Sequence, residues 1–131
     1  MISPPVAAKL STFAGAKSAG VGVISRVPLN RGFLSGRIDE SVQFSEDDTR
    51  RRSLTPENIR KFQVQLNSIK QVAADLGITP AEAAIRFCVS NPNVSCVIPG
   101  VRTPEQARQN ADSAASLPPE IVARLSGAAS T

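Results

Sequence analysis

An arginine two residues beyond a glycine, where an apolar run gives way to a helix start, has the makings of an anion site. Residues 98–110 hold that pattern as Ile-Pro-Gly-Val-Arg-Thr-Pro-Glu-Gln-Ala-Arg-Gln-Asn. Gly100 would let the backbone come close to a ligand. The helix that follows offers unpaired N–H groups and the positive end of its dipole. Arg102 stands in the turn, suited to bidentate contact with a phosphate. Gln106 and Asn110 are four residues apart, so their amides share one helix face and could reach a purine or a ribose. An ordinary capped helix with surface Gln and Asn would have the same residues, and residue chemistry alone leaves both readings open.

A second candidate is the loop 26–37, which leaves the C-terminal end of a predicted strand. Arg26, Arg31 and Arg37 could meet a pyrophosphate, Pro28 and Leu29 would stiffen the chain, and Gly32 and Gly36 would allow sharp bends. A plain loop with scattered arginines is the alternative. No acid–base constellation accompanies either segment, because the sequence contains no His and no Tyr. Asp39, Glu40, Glu46, Asp47 and Asp48 lie in a polar stretch where nothing raises a carboxyl pKa. Ser25 and Ser35 have no His base. No dinucleotide GxGxxG fingerprint and no phosphate loop ending in Gly-Lys-Ser/Thr is present. Cys88 and Cys96 sit in apolar stretches and read as small buried hydrophobes, too few for a disulfide scaffold and without the partners of a zinc site.

The elements that must position these residues alternate. A helix is expected over 6–19, with Val6, Leu10 and Phe13 on one face and Gly20 at its end. The run 21–24 reads as a buried strand. The stretch 38–53 is polar and charged with no sustained period, a long excursion of the kind that is functional or mobile. Ile59, Phe62, Leu66, Ile69, Ala73 and Leu76 then recur at helical spacing up to Gly77. Thr79-Pro80-Ala81-Glu82 opens another helix with a capping box and proline at its first position, ending near Asn91-Pro92. Residues 94–98 form a second strand, Thr103-Pro104 opens a third capped helix, and a short helix from Pro119 carries Ile121, Val122 and Leu125. Helices alternating with apolar strands predict an α/β fold with parallel strands. Two such strands cannot make a self-sufficient parallel sheet, and a (β/α)8 TIM barrel has eight βα units, so the pattern reads as part of a larger α/β protein.

The 131 residues, 41% of them hydrophobic, suit one globular unit. The net charge of +4 is mild, and Arg50-Arg51-Arg52 directly follow Glu46, Asp47 and Asp48, which favours a solvated loop over nucleic-acid binding. No apolar stretch approaches the roughly 20 residues that cross a bilayer, and residues 1–10 lack the continuous apolar core of a signal peptide. A cytoplasmic protein without a metal or a membrane partner is expected.

Three ordered motifs then carry a resemblance. Gly22-Val23-Ile24-Ser25-Arg26-Val27-Pro28-Leu29-Asn30-Arg31-Gly32-Phe33-Leu34-Ser35-Gly36-Arg37 resembles the seventh strand and following loop of aldo-keto reductases. Ile78-Thr79-Pro80-Ala81-Glu82-Ala83-Ala84-Ile85-Arg86-Phe87 resembles the helix after that loop. The stretch from Val97 through Gly100, Arg102 and Gln106 to Asn110 is similar to the eighth strand and its phosphate-binding helix. The resemblance implies a partial TIM barrel of about two βα units plus extra helices, spanning 1–131 as the C-terminal portion of the barrel, with 38–53 as a flexible, variable loop beside the cofactor. It also implies NADP as cofactor. Arg26 would take the position that stacks on the nicotinamide, where the family often has an aromatic. Val27, Pro28, Leu29, Asn30, Arg31 and Arg37 would follow the pyrophosphate, and Gly100 and Arg102 would lie near the 2′-phosphate. Gln106, Gln109 and Asn110 would hold the adenosine, with Gln109 standing where Glu is common. The family's catalytic Asp, Tyr, Lys and His belong to the first half of the barrel. The implied function is therefore the cofactor-binding part of an NADP-dependent oxidoreductase, inactive alone and partnered by a complementary N-terminal half-barrel or by itself. A non-enzymatic, self-associating interaction module is the alternative.

Overall fold

The computed structural model describes residues 6–128. The side chains of Val6 and Leu10, placed on the first helix above, lie outside the described residues, as do residues 1–5 and 129–131. Helix α1 spans Val6–Ser18, strand β1 Ile24–Arg26, helix α2 Pro56–Leu76, helix α3 Pro80–Val89, strand β2 Cys96–Ile98, helix α4 Pro104–Asp112 and helix α5 Pro119–Ala128. Two short 3-10 turns, Asn30–Ser35 and Thr49–Arg52, lie between β1 and α2.

One local code starts three of the helices. Thr55, Thr79 and Thr103 each precede a proline at the first helical position, and each hydroxyl accepts the N–H of the residue three further on. Proline has no N–H to leave unpaired there, and the threonine oxygen satisfies one of the remaining donors. Only the second and third of these starts are read from the sequence above; the first carries the same signal, and α2 begins three residues before Ile59. At its other end Gly77 adopts φ 66°, and its N–H closes on the carbonyls of Ala73 and Ala74.

The two strands pair directly and in parallel, Ile24 with Cys96, Ser25 with Val97 and Arg26 with Ile98. Both are shorter than the apolar runs that predict them, and the first is displaced toward its polar end. Nor are they buried on both faces. Ser25 and Val97 are half-buried. The alternate side chains face away: Ile24 is 60% exposed and Ile98 47% exposed, with Cys96 exposed beside them. The expected buried strand and buried Cys96 are thus corrected. Strand side chains alternate between faces, and among the described residues no element covers this one. Cys88 is half-buried, and burial pushes its thiol pKa up.

The core lies among the helices rather than on the sheet. Ile59, Leu66, Ile69, Val72 and Ala73 of α2 pack with Ala83 and Ala84 of α3 and with Leu117 and Leu125. Leu76, predicted on that face, is 37% exposed because the helix ends there. Phe33 and Leu34 of the first 3-10 turn enter the same core at 0% and 2% exposure, and the Phe33 ring meets Phe62 at 5.9 Å between centroids. Burying two such side chains stabilises by roughly 1.5–3 kcal/mol each. The loop after β1 is thereby anchored to α2. The stretch 38–53 keeps little regular structure, yet Ile38 joins the core and Val42 and Phe44 pack against it.

Candidate functional site

Because Arg26 is in register with Ile98, the chain leaves both strands at the same level, and the two candidate loops start side by side. Carboxyl ends of parallel strands are where α/β folds bind ligands. The structure brings the sequence-predicted residues to this edge in two groups.

The first group follows β1. Arg26 is exposed, and the backbone then turns left-handed at Val27 (φ 55°), Asn30 (φ 45°) and Arg31 (φ 58°). Left-handed torsion in a β-branched residue such as Val27 is a true outlier, and each such residue costs on the order of 1–3 kcal/mol. Backbone bonds hold the strained path: Asn30 N–H to the Val27 carbonyl at 3.0 Å, and the N–H groups of Gly32 and Leu34 to the Leu29 carbonyl at 2.9 and 3.1 Å. Pro28 and Asn30 are buried and Leu29 packs on the core, so Val27, Arg31 and Arg37 are the members of this loop that reach solvent. Strain held by a buried frame is a mark of functional loops.

The second group surrounds the start of α4. Gly100 is exposed, and a side chain there would meet nothing within 4 Å; neither its torsion nor a described neighbour demands glycine. Arg102 is exposed. Its N–H donates to Gln106 Oε1 at 2.8 Å, while the Gln106 N–H donates to Thr103 Oγ1 at 3.2 Å. Gln106 therefore serves its own helix start, instead of presenting its amide oxygen in parallel with Asn110. Gln109 is exposed and donates to Glu105 Oε1 at 3.1 Å. Asn110 differs from these: its Nδ2 is buried without a hydrogen-bond partner. It lines a cavity of about 220 Å³ together with Ile85 and Val89 of α3, Cys96 and Val97 of β2, Pro99 and Ala114. An unpaired buried donor costs about 1–3 kcal/mol unless something accepts from it.

Sequence reasoning missed a third group, the turn at Asp48–Arg52. Asp48 caps it, accepting the Arg50 N–H at 2.9 Å and the Arg50 Nε at 2.9 and 3.0 Å, and the Arg50 guanidinium lies over the Phe44 ring at 4.8 Å. Arg31 Nη1 donates to the Thr49 carbonyl at 3.4 Å, which ties the turn to the β1 loop. The hydrogen bonds from Arg50 pull the Asp48 pKa down to about 2, and the charge of Arg102 adds to that effect. An aspartate that accepts the backbone N–H two residues on forms an Asx-turn, but here the flanking charges make the stretch read as plain solvated chain. Arg51 and Arg52 are exposed, as expected of a solvated run.

Comparison with known proteins agrees with this layout. The chain is 32% identical over 117 residues to a protein of Oryza sativa subsp. japonica named as a probable voltage-gated potassium channel subunit beta, covering 81% of this chain and 34% of that protein. An Arabidopsis thaliana protein of the same name is 33% identical, covering 70% of this chain and 29% of its own length. A glycerol dehydrogenase from Gluconobacter oxydans has the same fold, with a TM-score of 0.77 at 21% identity over 88% of this chain and 36% of that one. The chain thus spans about a third of the length of these proteins, and its two paired strands and helices form part of a TIM barrel. The sequence profile of the aldo/keto reductase family matches residues 4–129, and the chain belongs to that family.

Proposed function

We propose that this chain is the C-terminal, cofactor-gripping portion of an aldo-keto reductase and that its cofactor is NADP. The observation that carries the reading is the register of β1 and β2, which sets the Arg26–Arg31 loop and the Gly100–Arg102 turn at one edge of the sheet. Two features support a dinucleotide there: the unpaired buried Nδ2 of Asn110 and the open space over Gly100. Arg26 would lie along the nicotinamide face, since a guanidinium stacks on rings. Val27 and Arg31 would follow the pyrophosphate, with Arg37 further along, on the frame that Pro28, Leu29 and Asn30 hold against the core. Gly100 and Arg102 would meet the 2′-phosphate, and Gln106, Gln109 and Asn110 the adenosine. The bound nicotinamide would supply a hydride; the residues here bind and orient it. The sequence holds no Tyr and no His, the residues that move the proton in this family, so the chain alone is expected to bind cofactor without reducing a carbonyl.

NADPH fluorescence tests this directly, against a protein free of Trp and Tyr. The wild-type chain should enhance and blue-shift the emission, and Arg102→Ala should weaken binding about tenfold, the loss of one charged hydrogen bond. Unchanged emission with folded protein contradicts the proposal. A second reading, an interaction module, rests on the apolar strand face, where Ile24 and Ile98 are 60% and 47% exposed. The natural occupants of that face are a complementary half-barrel or a second copy.

A further inference from the structure

We infer that Ser95 is a positioning residue: its hydroxyl fixes the register of β1 on β2 and so sets the gap between the two cofactor loops. The inference rests on the cofactor reading above and extends it to the opposite end of the strand pair. There Ser95 holds both backbone groups of Val23. Its N–H donates to the Val23 carbonyl at 2.8 Å, and the Cys96 N–H shares that carbonyl at 3.3 Å. Its Oγ accepts the Val23 N–H at 3.0 Å. Lys17 ties the same end, donating from Nζ to the Pro92 carbonyl at 2.9 Å.

Backbone bonds alone do not fix such a pair, because a ladder offers equivalent partners again after a two-residue slide. Each strand is only three residues long, and Ile24, Cys96 and Ile98 are exposed on a face that supplies no packing against a slide. Phe33 and Leu34 anchor the β1 loop in a cluster that holds no residue of β2. A two-residue slide carries Arg26 about 6–7 Å from its place beside Ile98, which separates the Arg26–Arg31 loop from a dinucleotide seated at Gly100 and Arg102. The hydroxyl bond exists at one residue only and breaks the equivalence. It lies at the surface, so water replaces it in an alanine variant and no buried donor is left unpaired. The fold then survives while the register loosens.

The test is calorimetric titration of the full chain, Ser95→Ala and Ser95→Thr with NADP and with adenosine 2′,5′-bisphosphate, circular dichroism confirming that each is folded. The bisphosphate reaches only the Gly100–Asn110 side, whereas NADP spans both loops. Ser95→Ala should weaken NADP binding roughly threefold to tenfold, the range of one lost hydrogen bond, and leave the bisphosphate unchanged. Ser95→Thr, which keeps the hydroxyl, should restore wild-type NADP binding. Unchanged NADP affinity in Ser95→Ala, an equal loss for both ligands, or no rescue by Ser95→Thr overturns the inference. A wild-type chain that binds NADP no more tightly than the bisphosphate also overturns it, and leaves the Arg102 end of the cofactor reading standing. A wild-type chain that binds neither ligand overturns the cofactor reading itself, and the inference with it.

Discussion

Val27 concentrates the tension of the site in one residue. Its left-handed backbone, φ 55°, opposes the preference of every β-branched side chain, and it stands between exposed Arg26 and buried Pro28. A glycine would relieve the strain at some cost in unfolded-chain entropy. Val27→Gly is therefore expected to raise the unfolding free energy by about 1 kcal/mol, read as a higher denaturant midpoint at unchanged slope; a lower midpoint would show that Val27 holds the turn by packing. At this scale the sequence is legible where chemistry and spacing coincide. Gly100, Arg102, Gln106 and Asn110 stand out because a strand, a turn and a capped helix frame them. Asp48 does not, since flanking charges conceal the turn that it caps. Cys96 is misread because an apolar neighbourhood in sequence does not tell which face of a strand is covered.

The helices come from a repeated device. Thr103 illustrates its reach, because the hydroxyl that caps α4 also fixes Gln106, whose side chain in turn accepts the N–H of Arg102. Thr103→Ala should lower the unfolding free energy by about 1 kcal/mol and speed amide exchange in the first turn of α4. Unaltered exchange there would mean that proline and Gln106 suffice to start the helix. Helices are the most legible elements here, through Thr-Pro starts, Gly77 and the three-and-four spacing of α2. The strands are legible in number and parallel direction but not in position. Each is only three residues long, and an apolar run does not mark where pairing begins. The 3-10 turn at Asn30–Ser35 could not be foreseen: Phe33 and Leu34 look like loop residues, and only the tertiary packing turns them into core.

For the molecule as a whole, the sheet is the unfinished part. Two strands present Ile24, Ile98 and their neighbours to solvent, and unpaired strand edges invite further pairing. The chain alone is expected to self-associate at micromolar concentration, and Ile24→Lys combined with Ile98→Lys should shift it toward monomer in sedimentation or light-scattering measurements. A clean monomer for the unaltered chain would contradict this. The parallel pattern of the sequence already implies a sheet with missing neighbours, and the family match over residues 4–129, set beside proteins about three times as long, agrees with a partial barrel. That the cofactor edge is fully framed within these residues is the central claim. Calorimetric titration of the size-checked chain with NADP and with NAD tests it most directly. The account predicts saturable binding of NADP, tighter than NAD, and loss of that difference in Arg102→Ala; heats of dilution alone from a folded sample would contradict it.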